Sequence, residues 1–135
     1  MFVIDLSHPI TPTMPVYPGT DSPSFHEMTS IEEHGFRERS ITMGSHTGTH
    51  MDAPAHILAD GATLDELDPA RFVGPACVAD VRGLSQVTLA DVRPYAKCLE
   101  DCCFFLMLTG WDLFWGRKEY FDNYPVLTEE AALFL

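Results

Sequence analysis

Alternation of apolar and polar residues is clearest in the first half of the chain, where it predicts a β-hairpin. Residues 24–30 and 38–46 have strand character, and in the second segment Ile41 and Met43 alternate with polar neighbours. Between them lies the turn-prone segment 32–35. We therefore expect an early hairpin whose second strand leads directly into a histidine-rich stretch.

The second half of the chain alternates short apolar runs with signals for helix starts. Residues 76–81 and 102–108 are predicted as strands. Residues 63–66, Thr-Leu-Asp-Glu, form a capping box that opens a short helix, and Thr88 and Thr128 are expected to cap two further helices. Strands interleaved with helices after a hairpin predict an α/β fold with a mixed sheet. We find no internal repeat or linker and expect one domain over residues 1–135.

Proline marks two positions where this pattern is interrupted. Residues 10–23 are rich in proline and are expected to form an irregular loop. Pro94 lies inside the helical pattern that begins after Thr88, so the pattern leaves the continuity of that helix open.

Residues 46–56, His-Thr-Gly-Thr-His-Met-Asp-Ala-Pro-Ala-His, carry the main candidate chemistry. His46, His50 and Asp52 occupy alternate positions together with Gly48, and alternate side chains of an extended strand share one face. In a straight strand the Cα atoms of His46 and His50 would be roughly 13 Å apart, so both imidazoles could reach one ion only by leaning inward or if the strand bends. Gly48 lies midway between them, where a bend costs least.

Two imidazoles and a carboxylate suit Zn²⁺, Mn²⁺ or Fe²⁺ and leave coordination positions open for water. We therefore predict that His46, His50 and Asp52 bind a divalent metal, with a buried polar network as the alternative. His56 lies beyond Pro54, which should end the strand, and we predict that it is an acid or base beside the ion. An open site of this kind is typical of catalysis, whereas a structural zinc site is usually closed and rich in cysteine.

At these residues the chain resembles the cyclase family of metal-dependent hydrolases, which includes bacterial kynurenine formamidases and isatin hydrolases. The family motif, His-x-Gly-Thr-His-x-Asp-x-Pro-x-His, is matched at every fixed position by residues 46–56. Further segments resemble the family at residues 5–10, 17–19, 64–67, 72–76 and 108–112, so the resemblance covers nearly the whole chain.

The resemblance implies a reaction, hydrolysis of a small amide, formamide or lactam by water that the metal activates, and specific roles for several side chains. It assigns metal binding to His46, His50 and Asp52, general acid/base catalysis to His56, and contact with the substrate ring to Tyr17, which could equally pack in a turn. It also implies a swivelling β/β/α domain and a homo-oligomer, a dimer or a tetramer, whose subunits share the active-site cleft.

The chain departs from the family pattern towards its C-terminus. Family members have a further His and Glu downstream that help complete a two-metal site, whereas no His follows His56 here, and Glu129 and Glu130 lie at a predicted helix start. We expect the chain to lack the C-terminal third of the family. The alternative to an enzyme is a non-catalytic metal-binding or assembly module.

Composition limits the classes of binding partner and the cellular compartment that we expect for this chain. Eight basic and twenty acidic residues give a formal charge of −12, which argues against nucleic-acid and anionic-membrane partners and is typical of a solvated surface. The small-molecule substrate is what the resemblance implies. Residues 1–5 have neither the basic start nor the apolar run of a secretory signal. We therefore expect a cytoplasmic protein in which Cys77, Cys98, Cys102 and Cys103 are free thiols.

Overall fold

The computed structural model describes residues 2–135 as two compact units, the first ending at Gly61 and the second spanning Ala62–Leu135. The first unit contains the hairpin and the histidine-rich segment, and the second contains the parallel strands and most of the helices. The candidate chemistry of residues 46–56 therefore lies within one unit.

The predicted hairpin is confirmed. Strand β1 (Ser24–Thr29) pairs antiparallel with β2 (Glu38–Thr42), and their connection contains one helical turn, α1 (Ile31–His34). The Ser30 side chain accepts a hydrogen bond from the backbone of this turn, and Gly35 ends it with a left-handed φ of 78°. The segment before the hairpin, residues 10–23, forms turns and irregular structure, as its prolines predict.

The second unit is built from two parallel strand pairs and short helices. β3 (Ala76–Asp80) pairs with β5 (Phe104–Leu108), and β4 (Gln86–Val87) pairs with β6 (Val126–Leu127). The α-helices are α2 (Leu89–Val92), α3 (Ala96–Leu99) and α4 (Glu129–Phe134). Short 3₁₀ turns cover Leu64–Glu66, Pro69–Phe72, Arg93–Tyr95, Trp111–Phe114 and Lys118–Phe121.

The predicted α/β class is confirmed. Within residues 2–135, antiparallel and parallel pairing occur in three separate two-stranded sheets.

The helix starts follow the capping residues that the sequence offers. Thr88 and Asp91 form a capping box in which the Thr88 backbone N–H donates to the Asp91 carboxylate at 2.8 Å. Pro94 has no backbone N–H to donate, and the chain tightens into the 3₁₀ turn Arg93–Tyr95 between α2 and α3. The capping box at Thr63 is present, but it opens only a 3₁₀ turn before Pro69.

The core of the second unit is small and consists of aliphatic side chains. Val87 and Val92 are 1% and 0% exposed, and they cluster with buried Ala79, Val81 and Ala131. β3 contributes to this core on alternate residues because successive side chains of a strand face opposite sides. The cluster joins β3, β4, α2 and α4, so the elements of the second unit depend on the same few side chains.

Val92→Ala is expected to destabilise the second unit by about 2 kcal/mol, because it removes two buried methyl groups and leaves a cavity. Urea unfolding followed by tryptophan fluorescence measures the change; both tryptophans lie in the second unit. Val73→Ala is the matched control, since Val73 is 80% exposed and its truncation should change the free energy of unfolding by less than about 0.5 kcal/mol. Equal losses in the two variants would contradict this location of the core.

The prediction of four free cysteines is wrong for two of them. Cys77 in β3 and Cys98 in α3 form a disulfide, and their Cα atoms are 6.0 Å apart, within the normal range for this bond. Cys102 and Cys103 are free thiols. No local pattern indicates this pairing, because 21 residues separate the two cysteines and the packing of α3 beside β3 brings them together.

Within the described part of the chain, residues 2–135, the helices are too short and too polar to cross a membrane.

Candidate metal centre

The histidine-rich segment is not a strand, and this part of the prediction is wrong. β2 ends at Thr42, the chain then turns through residues 43–53, and a 3₁₀ turn covers Pro54–His56. Gly48 has a φ of 69°, a left-handed conformation that glycine adopts at little cost and that reverses the direction of an extended chain. Of the two ways in which both imidazoles could reach one ion, the chain therefore adopts the bend at Gly48, as a full turn.

This turn brings the three predicted ligands together. His46 Nδ1 is 2.7 Å from Asp52 Oδ1, His50 Nε2 is 3.4 Å from the same oxygen, and the two nitrogens are 3.2 Å apart. One ligand atom from each side chain can therefore contact a common ion. The side chains are 43%, 30% and 50% exposed for His46, His50 and Asp52, so the cluster is open to a substrate from solvent.

The backbone of the turn fixes the orientation of one imidazole. His50 Nδ1 lies 2.8 Å from the Gly48 carbonyl oxygen, which can only accept, so Nδ1 carries the proton. The lone pair of His50 is then on Nε2, the atom that faces His46 and Asp52. A carbonyl that holds the second nitrogen of a histidine in this way is typical of metal sites.

The residues beneath the turn hold it in place. Thr47 is 3% exposed and Met14 is 6% exposed, so the backbone between His46 and His50 is anchored against the interior of the first unit. A Cβ atom on Gly48 would lie 3.4 Å from Ile10 Cγ1 and 3.5 Å from Met14 Cε. We did not predict a role for these supporting residues, although two apolar side chains in a proline-rich loop are a signal for packing.

Gly48→Ala is expected to weaken metal affinity about tenfold to hundredfold, because a side chain disfavours the φ of 69° and shifts the carbonyl that orients His50. Isothermal titration with Zn²⁺ measures the effect. Gly19→Ala is the matched control: Gly19 has a φ of 90° with open space around it, so it carries similar strain away from the ligands. Similar metal affinities for the two variants would contradict the role of the Gly48 carbonyl.

His56 lies directly beside the ligand cluster. Its ring centroid is 3.9 Å from that of His46, with 42° between the planes. Its backbone N–H donates to the Ala53 carbonyl oxygen at 2.9 Å, closing the turn that begins at Pro54. A third imidazole thus lies beside the group that could hold an ion.

A surface depression of about 350 Å³ adjoins the cluster and provides space for a small molecule. Its lining combines the ligand Asp52 and the neighbouring His56 with four apolar residues, Ala53, Pro54, Ile57 and Leu58. Tyr17 is not among the residues that line it; this side chain is 60% exposed in a turn closed by the Thr20 N–H and the Tyr17 carbonyl oxygen. The substrate-contact role of Tyr17 stays a prediction.

Comparison with known proteins identifies the family to which this arrangement belongs. Residues 4–135 match the family model named Cyclase. The chain belongs to the cyclase family. The resemblance predicted from residues 46–56 is therefore confirmed over nearly the full length of the chain.

Relatives and solved structures agree with this assignment. The chain is 41% identical over 135 residues to a kynurenine formamidase of Bacillus cereus, covering 98% of this chain and 62% of the relative. The structure of isatin hydrolase A from Labrenzia aggregata, bound to benzyl benzoate, matches with a TM-score of 0.76 and 26% identity, covering 98% of this chain and 62% of the hydrolase.

A third similar protein bears on the metal. It is described as a potential metal-dependent hydrolase with cyclase activity, and it matches with a TM-score of 0.70 and 28% identity over 96% of this chain and 59% of its own. The cyclase-family chain described here spans about three fifths of the length of these relatives.

Proposed function

We propose that this cyclase-family chain is a metal-dependent amidohydrolase domain that cleaves a C–N bond of a small formamide, amide or lactam. The observation that carries the proposal is the convergence of His46 Nδ1, His50 Nε2 and Asp52 Oδ1 on one point. The names of the relatives, kynurenine formamidase and isatin hydrolase, support the reaction class.

The donor set and its spacing fit a divalent cation. Ligand atoms about 2.0–2.1 Å from a tetrahedral zinc ion lie roughly 3.3 Å from one another. Two of the three separations here, 3.2 and 3.4 Å, are close to that value, and the third, 2.7 Å between His46 Nδ1 and Asp52 Oδ1, is shorter. His46, His50 and Asp52 would hold Zn²⁺ or Mn²⁺, and the bound ion would supply a Lewis acid that activates water and polarises the substrate carbonyl.

His56 is suited to proton transfer in this reaction. Its ring packs against that of His46, so it stays within the site without joining the ligand set identified above. Imidazole exchanges protons near neutral pH, and it would take a proton from the attacking water and return it to the leaving nitrogen.

The depression beside His56 supports a substrate with an apolar body. Ala53, Pro54, Ile57 and Leu58 offer hydrocarbon surface, which suits the ring of an aryl formamide such as N-formylkynurenine or of a cyclic amide such as isatin. The carbonyl of such a substrate would approach Asp52 and His56, which line the same depression.

The hairpin supports the predicted homo-oligomer, a dimer or a tetramer. Every residue of β2 is exposed, and Met28 and Ile41 are 56% and 62% exposed. An isolated two-stranded hairpin is only marginally stable, and exposed apolar surface of this kind is typical of subunit interfaces. Light scattering measures the oligomeric state of the chain. A mass of two or four chains supports the oligomer, and a mass of one chain contradicts it.

Metal analysis combined with an activity panel tests the proposal. Purified chain is loaded with Zn²⁺ or Mn²⁺, its metal content is measured, and hydrolysis of N-formylkynurenine, isatin and unsubstituted lactams is assayed. Stoichiometric metal with turnover on at least one substrate supports the enzyme. Stoichiometric metal without turnover on any of them would favour the alternative, a non-catalytic metal-binding or assembly module.

A further inference from the structure

Three of the four cysteines form a cluster in the second unit, and none of them has a role in the site described above. Cys77 and Cys98 are joined as a disulfide, and the free thiol Sγ of Cys102 lies 3.9 Å from Cys98 Sγ. This distance is close to van der Waals contact between two sulfur atoms, so no side chain separates the thiol from the disulfide.

We propose that Cys77, Cys98 and Cys102 form an intramolecular thiol–disulfide exchange site. The Cys102 thiolate attacks Cys98 Sγ, the Cys98–Cys102 bond forms, and the Cys77–Cys98 bond breaks. The electron pair of the broken bond passes to the Cys77 sulfur, which takes up a proton in place of the one that Cys102 lost. The step needs no external oxidant or reductant, because one disulfide and one thiol are present before and after it.

The exposure of the sulfurs favours attack on Cys98 rather than on Cys77. Cys98 is exposed, Cys102 is half-buried, and Cys77 is 3% exposed in β3. A thiolate is poorly solvated at a buried position, so Cys77 would be stored as a neutral thiol after release.

The product disulfide is also sterically accessible. Cys98 and Cys102 are four residues apart at the end of α3, where the backbone N–H of Cys102 donates to the Leu99 carbonyl oxygen. One helical turn separates Cα atoms by roughly 6 Å, which a disulfide spans.

Exchange changes what the disulfide connects. The Cys77–Cys98 bond ties β3 to α3 across 21 residues, whereas a Cys98–Cys102 bond closes only one turn. Exchange would therefore remove the covalent link between β3 and α3 and leave a local link between Cys98 and Cys102.

Cysteine mapping by mass spectrometry tests the proposal on the full, unreduced chain. The protein is held at mildly alkaline pH, quenched with acid, denatured and labelled with N-ethylmaleimide at low pH. Trypsin and a glutamate-specific protease then separate Cys77 from Cys98 and, by cleavage after Glu100, Cys98 from Cys102. Label on Cys77 together with a Cys98–Cys102 link reports exchange.

The wild-type chain is expected to carry at least about tenfold more label on Cys77 than Cys102→Ser, which lacks the attacking thiol. Cys103→Ser is the matched control, because Cys103 is also a free thiol. Its sulfur packs against Gly74, since a Cβ atom added to that glycine would lie only 2.5 Å from Cys103 Sγ. This variant should behave as wild type. Equal labelling of Cys77 in wild type and Cys102→Ser would overturn the proposal, as would loss of exchange in Cys103→Ser with exchange retained in Cys102→Ser.

Discussion

Asp52→Ala is expected to remove both metal binding and hydrolysis. Asp52 Oδ1 lies 2.7 Å from His46 Nδ1 and 3.4 Å from His50 Nε2, so it is the anionic group that both imidazoles face. Without it, two neutral imidazoles remain, and the loss of Zn²⁺ affinity should exceed the roughly hundredfold effect of removing a supporting hydrogen bond. Titration calorimetry with Zn²⁺ and the substrate panel measure the two losses.

The control for this variant is another exposed carboxylate of the same unit. Asp60→Ala removes one negative charge but no member of the ligand cluster, so its metal affinity and turnover should match those of wild type. If Asp52→Ala bound Zn²⁺ as tightly as Asp60→Ala, the assignment of Asp52 as a ligand would be wrong.

His56→Ala is expected to keep the metal and lose most of the turnover. The ring of His56 stacks on His46 but lies outside the group of three ligand atoms, so its removal leaves the donor set intact. Loss of a general acid and base should lower kcat by about 10²- to 10⁴-fold. Steady-state kinetics on the metal-loaded chain, with metal content measured on the same sample, separates the two properties.

His26→Ala provides the matched control for His56. His26 is an exposed histidine of the same unit, paired opposite Ser40 in the hairpin, and its truncation should leave kcat and metal content unchanged. Near-native turnover of metal-loaded His56→Ala would show that His56 does not transfer protons in the reaction. Loss of metal from this variant would instead make it a ligand.

The sequence was sufficient to predict the ligand residues, but it did not predict the backbone conformation that brings them together. The alternation of His46, His50 and Asp52, with Thr47 and Thr49 between them, favours a strand by local propensity. The structure forms a turn instead, because Gly48 adopts a left-handed φ and Thr47 is buried against the first unit. Tertiary packing overrode a local preference, and the bend at Gly48 was one of the two geometries that the sequence left open.

Elements were predicted well where the signal is local. The capping box at Thr88 and the cap at Thr128 begin the helices α2 and α4, and the strands β3 and β5 lie within the predicted apolar runs. The link between Cys77 and Cys98 depends on contacts between elements distant in sequence, which no local pattern records.

The cytoplasmic location and the single-domain organisation stay predictions. Free thiols were expected because the compartment was expected to be reducing, and a disulfide between Cys77 and Cys98 is not typical of such a compartment. The first and second units are each compact, and the family match extends over both.

The central claim is that His46, His50 and Asp52 coordinate a single ion. X-ray absorption spectroscopy of the chain loaded with one equivalent of Zn²⁺ tests this claim most directly. We expect a first shell of nitrogen and oxygen at about 2.0–2.1 Å, with the outer-shell scattering of two imidazoles, and loss of this signal in Asp52→Ala. A first shell containing sulfur at about 2.3 Å, or an imidazole count that is unchanged when both His46 and His50 are replaced by alanine, would contradict the account.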